Sequence, residues 1–163
     1  MKHIALLLIL CSFNFKSGMP ELNAKIVEYL DSVMGKQVDR GECWDLALGA
    51  LTYSGAYFDR RSKRTVNIYG RLVDPKREEI FPGDLIQFEN VKIQWKKRYT
   101  TFNETMKHHT AIVYSVNEKG NYQIAHQNTK NTGRRVGVSN FRLDRVIKGR
   151  VMIYRPIKER GDQ

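Results

Sequence analysis

The sequence predicts an α+β fold, with helices near the amino terminus packed against an antiparallel sheet. Two observations carry this. Apolar residues recur at helical spacing only before about residue 55, and after about residue 65 they fall into short runs bounded by turn residues. A third bounds the domain count: 163 residues suffice for one domain with a substantial core and are too few for two.

The elements follow in order. "MKHIALLLILCSFNFKSG", residues 1–18, joins a short basic start (Lys2, His3) to an apolar run from Ile4 to about Cys11 and ends in small residues. A bilayer span needs roughly 20 apolar residues, so this run is too short to cross one, and it has the order of a secretory signal peptide. Cleavage is expected near Gly18, leaving residues 19–163 as a single domain. Cys11 at the end of "LILC" keeps a lipoprotein leader as an alternative, although Leu10 is a poor match to the small residue such a leader carries. A buried N-terminal helix is the third reading.

Next, "PELNAKIVEYLDSVMG" places Leu22, Ile26, Leu30 and Met34 at four-residue spacing, the stripe of an amphipathic helix opened by Pro20 and closed by Gly35. "CWDLALGALTYSG" reads as a second, mostly apolar helix closed by Gly55. "TVNIYGRLV" is read as a strand with a turn, and "FPGDLIQFEN" as a Pro-Gly-Asp turn before a strand over Leu85–Phe88. "NVKIQWKKRYTTFNETMKH" is expected to be a long loop, a feature often tied to function. "HTAIVYSV", the turn "NEKGN" and "YQIAHQN" form a hairpin, and "GRVMIYRPI" a last strand ended by Pro156.

Removal of the leader would leave Cys43 as the sole cysteine, which excludes an internal disulfide. A buried filler, an intermolecular link and a reactive thiol remain. Gly41 permits a tight turn, Glu42 sits at or near the N-cap, and the helix begins at or just after Cys43. A thiol at a helix start meets the positive end of the helix dipole and unpaired N–H groups, which favour thiolate and can stabilise an oxyanion.

A cysteine nucleophile needs a base, and His108, His109 and His126 lie beyond the leader. Alternation on the strand puts His109, Ala111 and Val113 on one face and His108 on the other. On the returning strand Tyr122, Ile124, His126 and Asn128 share one face, while Gln123, Ala125 and Gln127 share the other. A histidine on one strand and a polar group on its neighbour can then meet, so that the second orients the first. Each also has an ordinary structural reading: a hydrogen-bonded strand histidine, or a turn asparagine at Asn128.

"GECWDLA", "PGDLIQFE", "HTAIV" and "IAHQN", in this order, resemble the CHAP and NlpC/P60 families of papain-like cysteine peptidases and amidases over about residues 25–155. The resemblance implies a papain-like fold, Cys43 as nucleophile and His109 as general base. CHAP proteins carry a glutamate and, two residues later, an asparagine; Asn128 matches the asparagine, and His126 replaces the glutamate. NlpC/P60 enzymes often use a histidine as the third residue, a role His126 can fill. Gln37, six residues before Cys43, matches the offset of a papain-like oxyanion-hole glutamine. Asp45 is expected to complement the helix dipole, and Trp44 to line the core or cleft.

The resemblance implies peptidoglycan as substrate class, cleaved in the stem peptide or at the sugar–peptide amide, with no cofactor. An immunity protein would accompany a toxin. The net charge of +11 favours polyanions such as a wall polymer. Specific nucleic-acid binding would rest on "KIQWKKRY" and conflicts with export. Two further readings stand beside the hydrolase: a non-catalytic binding module on the same scaffold, and a zinc site of Cys43, His109 and His126, for which no metal-ligand spacing motif exists.

Overall fold

A computed structural model describes residues 18–58 and 69–158. The expected leader, with Cys11, and the basic cluster at residues 59–64 lie outside the described residues, as does the start of "TVNIYGRLV".

Two helices come first, α1 (Glu21–Val33) and α2 (Cys43–Ser54). Leu22, Ile26 and Leu30 bury the stripe that their spacing predicts. Gly55 closes α2 in the left-handed region at φ +73°, its N–H returning to the Leu51 and Thr52 carbonyls. The strands follow: β1 (Arg71–Val73), β2 (Leu85–Lys97), β3 (Thr100–Glu118), β4 (Asn121–His126), β5 (Gly137–Arg142) and β6 (Val146–Arg155), with a short 3₁₀ turn at Leu143–Arg145. They form one antiparallel sheet in the order β1-β6-β2-β3-β4-β5. The fold is α+β, two helices on a six-stranded sheet.

The Pro-Gly-Asp turn has a structural purpose. Gly83 sits at φ +87°, and a Cβ there would stand 2.5 Å from the Asn23 carbonyl oxygen, so only glycine lets the turn touch α1. Asp84, fully buried, accepts from Asn23 Nδ2 at 2.8 Å and from Arg155 Nη2 at 2.8 Å, tying α1, β2 and β6 together.

The two faces of the sheet carry separate cores. On the helix side Ile26, Leu30, Leu46, Ala47, Ala50 and Leu51 pack on Leu85, Ile112, Ala125 and Tyr154. On the other face Ile86, Phe88, Ala111, Val113, Ile124 and Phe141 join Val91 and Ile93. Each buried aliphatic side chain contributes on the order of 1.5–3 kcal/mol, so both faces favour the sheet.

Residues 90–108 are not the long loop expected. β2 and β3 continue as one hairpin, in register from Leu85↔Ile112 to Lys97↔Thr100. The reason is a break in phase. Inward positions run Ile86, Phe88 and then Val91, Ile93, with Asn90 at φ +51° between them, where the pairing to β6 also shifts register. A strict two-residue alternation read from Leu85 loses the pattern there. β5 was not expected either: it is an edge strand in which Phe141 alone is buried, so its sequence shows little apolar signal.

Candidate active site

Cys43 is the first residue of α2, half-buried and free of any disulfide. The Asp45 N–H returns to the Glu42 carbonyl at 3.0 Å, which leaves the Cys43 and Trp44 N–H groups of the first turn to receive an anion formed beside them. Several contacts fix the chain's entry into the helix. Gly41, at φ +84°, leaves no room for a Cβ, which would lie 2.6 Å from Arg134 Cβ. Asp45 Oδ2 accepts the Glu42 N–H at 3.0 Å, and Asp45 Oδ1 accepts from Arg40 Nη2 at 2.9 Å. Burial acts to raise the Asp45 carboxyl, and these hydrogen bonds outweigh it, holding the carboxyl below its usual range. Asp45 thus closes the helix start. Trp44 packs on Tyr69, ring centroids 5.8 Å apart, as a wall of the helix-side core.

His109 and His126 are 8% and 7% exposed. His109 Nε2 lies 3.2 Å from His126 Nδ1, and His126 Nε2 lies 2.9 Å from Ser139 Oγ. The rings meet edge-on, with centroids 5.3 Å apart, and Phe88 backs His109. One tautomer satisfies the chain and leaves a base: His109 donates from Nε2 to His126, His126 donates from Nε2 to Ser139, and His109 Nδ1 keeps a lone pair. Among the described residues Nδ1 makes no hydrogen bond, and it is not among the fully buried atoms lacking a partner. Burial pushes both imidazoles down to about 4, and for His109 the neighbouring His126 and His108 add to the effect. Both are neutral at pH 7.

The segment that follows β4 ties the histidine-bearing strand to the start of α2. β4 pairs with β3 only from Ile112↔Ala125 onward, which leaves the flank of β3 beside His109 open. Just past His126, Gln127 is fully buried and turns toward the helices. Its Nε2 donates to the Glu42 carbonyl at 2.7 Å and the Val38 carbonyl at 3.0 Å, while its Oε1 accepts the Val38 N–H at 3.1 Å. Asn128, at φ +62°, donates from Nδ2 to Glu42 Oε2 at 2.6 Å. The residue before Cys43 is therefore clamped by the two residues after His126.

The expected residues divide accordingly. His109 and His126 touch. Asn128 contacts Glu42 and not an imidazole. Cys43 Sγ forms no hydrogen bond with either histidine: α2 lies on one face of the sheet, and the pair shares the opposite face with Phe88 and Ala111. Gln37 is exposed and donates to the Asp39 carbonyl at 3.1 Å. Among the described residues no group of three or more His, Cys, Asp or Glu side chains is arranged to hold a metal, so the zinc reading lacks a ligand set. His108 lies 2.8 Å from Glu89. Sequence reasoning missed two members. Ser139 lies on the unrecognised β5, and Gln127 was placed by alternation on the face away from His126, which is the signal that could have pointed it at the helices.

Comparisons with known proteins agree with the fold. No curated protein matches the sequence. Two solved structures share the fold: the crystal structure of Ly7917, at 12% identity and a TM-score of 0.50, and that of Ly7917 with the hydrolyzing product of MDP, at 12% identity and a TM-score of 0.51. They align over 81% and 82% of this chain but only 62% and 63% of theirs, so the chain spans about three fifths of those proteins' length. The model of the AIM3/BBC1 cysteine proteinase-fold domain matches residues 16–161, nearly the whole chain, and the chain belongs to that family.

Proposed function

We propose that the protein is an exported cysteine hydrolase that cleaves amide bonds in peptidoglycan, close in mechanism to the CHAP and NlpC/P60 enzymes. One observation carries the reading: Gln127 and Asn128 hold Glu42, and with it the start of α2, at the end of β4 where the His109–His126 pair stands.

In this reading a substrate amide enters at the open flank of β3. His109 Nδ1 takes the proton from Cys43 Sγ as the sulfur bonds to the carbonyl carbon, and the carbonyl pair moves onto oxygen. His126, anchored on Ser139, holds the His109 ring and disperses the charge that His109 gains. First-turn N–H groups of α2 receive the oxyanion, and Gln37 would serve as a further donor by leaving the Asp39 carbonyl. Collapse returns the proton to the leaving amine, and water then releases the acyl group from sulfur. Asn128 acts on the entry turn. Residues 1–18 serve as the signal peptide, with lipid attachment at Cys11 the alternative; an anionic wall polymer and, for a toxin, an immunity protein are the partners this reading proposes.

A non-catalytic binding module is the second reading, favoured by the neutral imidazole pair and by the missing hydrogen bond between Cys43 and His109. Digestion of purified peptidoglycan by the protein and by Cys43→Ala, under reducing conditions and with products identified by mass spectrometry, separates the two. New amine or stem-peptide ends that need the thiol establish the hydrolase and identify the bond. No release from several wall types selects the binder.

A further inference from the structure

The stretch "KIQWKKRY", residues 92–99, carries cations and aromatics that the proposed hydrolase does not use. It forms the outer part of the β2–β3 hairpin. β6 pairs with β2 no further than Ile93↔Val146, so from Gln94 to Asn103 the hairpin is a two-stranded ribbon beyond the reach of β6. Two strands alone are marginally stable. This ribbon is stiffened by Trp95 and Phe102, which stand directly opposite each other and stack with ring centroids 5.5 Å apart, and by a 3.0 Å hydrogen bond from Gln94 Nδ-type amide nitrogen Nε2 to Asn103 Oδ1. The bulge at Asn90 sets its direction: a Cβ on Gly149 would run into the Asn90 carbonyl, so glycine lets β6 follow the bend.

The phase change there also sorts the side chains. Val91, Ile93 and Trp95 turn toward the second core, and Lys92, Gln94 and Lys96 take the other face, opposite Thr105, Asn103 and Thr101. Lys148 of β6 stands directly across from Lys92, where two like charges repel. Lys97, Arg98 and Tyr99 lead into the turn; Tyr99 is fully exposed, and Phe102 behind it is 40% exposed. Among the described residues Lys92, Lys96, Lys97, Arg98 and Lys148 form no ion pair and no side-chain hydrogen bond. Glu104, the one acid of the ribbon, lies on the aromatic face opposite Ile93.

We propose that this arm docks the protein on an anionic lipid bilayer, with the five cations against the headgroup phosphates and Tyr99 seated at the interface. The inference stands apart from the hydrolase reading and does not rest on it. Charge complementarity gives the sign of the partner: uncompensated cations, two of them directly opposed, gain most from a surface of negative charge. The exposed tip gives its kind. A tyrosine at headgroup depth buries its ring in the apolar boundary and keeps its hydroxyl wet, whereas a soluble polyanion offers Tyr99 no apolar layer to enter. A single-stranded nucleic acid would need open rings on which to stack, and Trp95 is already engaged by Phe102 and by Arg145, whose guanidinium lies over the ring 5.9 Å from its centroid.

The test is co-sedimentation of the full chain with sucrose-loaded vesicles, either of phosphatidylcholine alone or of a two-to-one mixture with phosphatidylglycerol. The neutral vesicles measure whatever the apolar residues 1–18 contribute, which every variant keeps. Binding to the anionic vesicles should be at least about tenfold tighter at low salt and should weaken as salt is raised. Lys96→Gln with Lys97→Gln should weaken it about twenty-fivefold, roughly fivefold for each charge, with an unchanged melting temperature, since both positions are exposed. Lys96→Arg with Lys97→Arg should preserve it. Lys76→Gln with Arg77→Gln removes the same charge from the exposed segment after β1 and should leave binding nearly unchanged. Tyr99→Ser, which keeps every charge, should weaken binding severalfold. Equal binding to the two kinds of vesicle, or an equal loss in the Lys76 and Arg77 variant, overturns the proposal. Unchanged binding by Tyr99→Ser also overturns it, and displacement from the vesicles by inorganic polyphosphate or by a single-stranded oligonucleotide then identifies the polyanion that the arm takes instead.

Discussion

Gln127→Ala tests whether the clamp on the entry turn of α2 is what places the thiol. The substitution removes three hydrogen bonds, of 2.7, 3.0 and 3.1 Å, from a side chain with no exposure. At about 1 kcal/mol net for each bond, and with the Val38 N–H left unpaired while the Val38 and Glu42 carbonyls keep the Gly41 and Asp45 N–H groups, the loss is roughly 3 kcal/mol. For a domain of this size that lowers the melting temperature by about 6–12 °C. Stability alone would show only that Gln127 is buried and bonded. The discriminating assay is alkylation of Cys43 by iodoacetamide across pH, with peptidoglycan release measured beside it. Loosening the turn should shift the alkylation profile and lower kcat more than it raises KM, while Gln127→Glu, which keeps the acceptor and loses the donors, should fall between. An unchanged alkylation profile in Gln127→Ala would refute the positioning argument, whatever happens to the melting temperature.

Three other outcomes follow from the geometry. His109 and His126 are held down to about 4, so the unfolded chain binds their protons more strongly; stability should be complete above about pH 6.5 and fall as pH drops toward about 4, and thermal melts of His126→Gln should lose part of that decline. Arg155→Ala strands the fully buried Asp84 carboxylate and should cost about 3–5 kcal/mol by denaturant titration, with Asp84→Asn/Arg155→Leu recovering part of it. His126→Glu puts a carboxylate beside His109 and should raise the His109 titration, visible by NMR, and move the acid limb of peptidoglycan release to higher pH.

Much of the scaffold was legible because local signals coincided with tertiary need. The four-residue stripe of Leu22, Ile26 and Leu30 is buried where its spacing puts it, and Gly41 and Gly55 bracket α2 at positive φ. Alternation also separated His109 and His126 from Gln127 correctly. It failed where the backbone changes phase: the inward series jumps from Phe88 to Val91 at Asn90, whose turn character reads as the end of a strand although here it makes only a break within one. β5 was hidden for a different reason, since an edge strand with one buried residue has almost no hydrophobic pattern to read. Side-chain partnerships were the least legible. That Asn128 would reach Glu42, 86 residues away, depends on where β4 stops, and strand ends are set by pairing and not by the residues themselves.

The histidine at position 126 bears on the chemistry more than on the fold. A carboxylate partner would stabilise imidazolium, so that the base gains strength as it takes the thiol's proton. His126 does the reverse: it is itself buried and neutral, and its proximity helps push His109 down to about 4. A base so weak is fully unprotonated at pH 7 but has little driving force for proton transfer. The chain to Ser139 offsets part of this. If His109 is the base proposed above and takes the proton at Nδ1, its Nε2–H already donates to His126, and His126 donates onward to Ser139, so the new charge would spread along two polar contacts without any group having to turn. As the proposed hydrolase, a site built this way would give up the resting thiolate–imidazolium pair in exchange for a neutral ground state, and it would react best with substrates whose own binding draws water from the open flank of β3 and brings the amide against both groups at once.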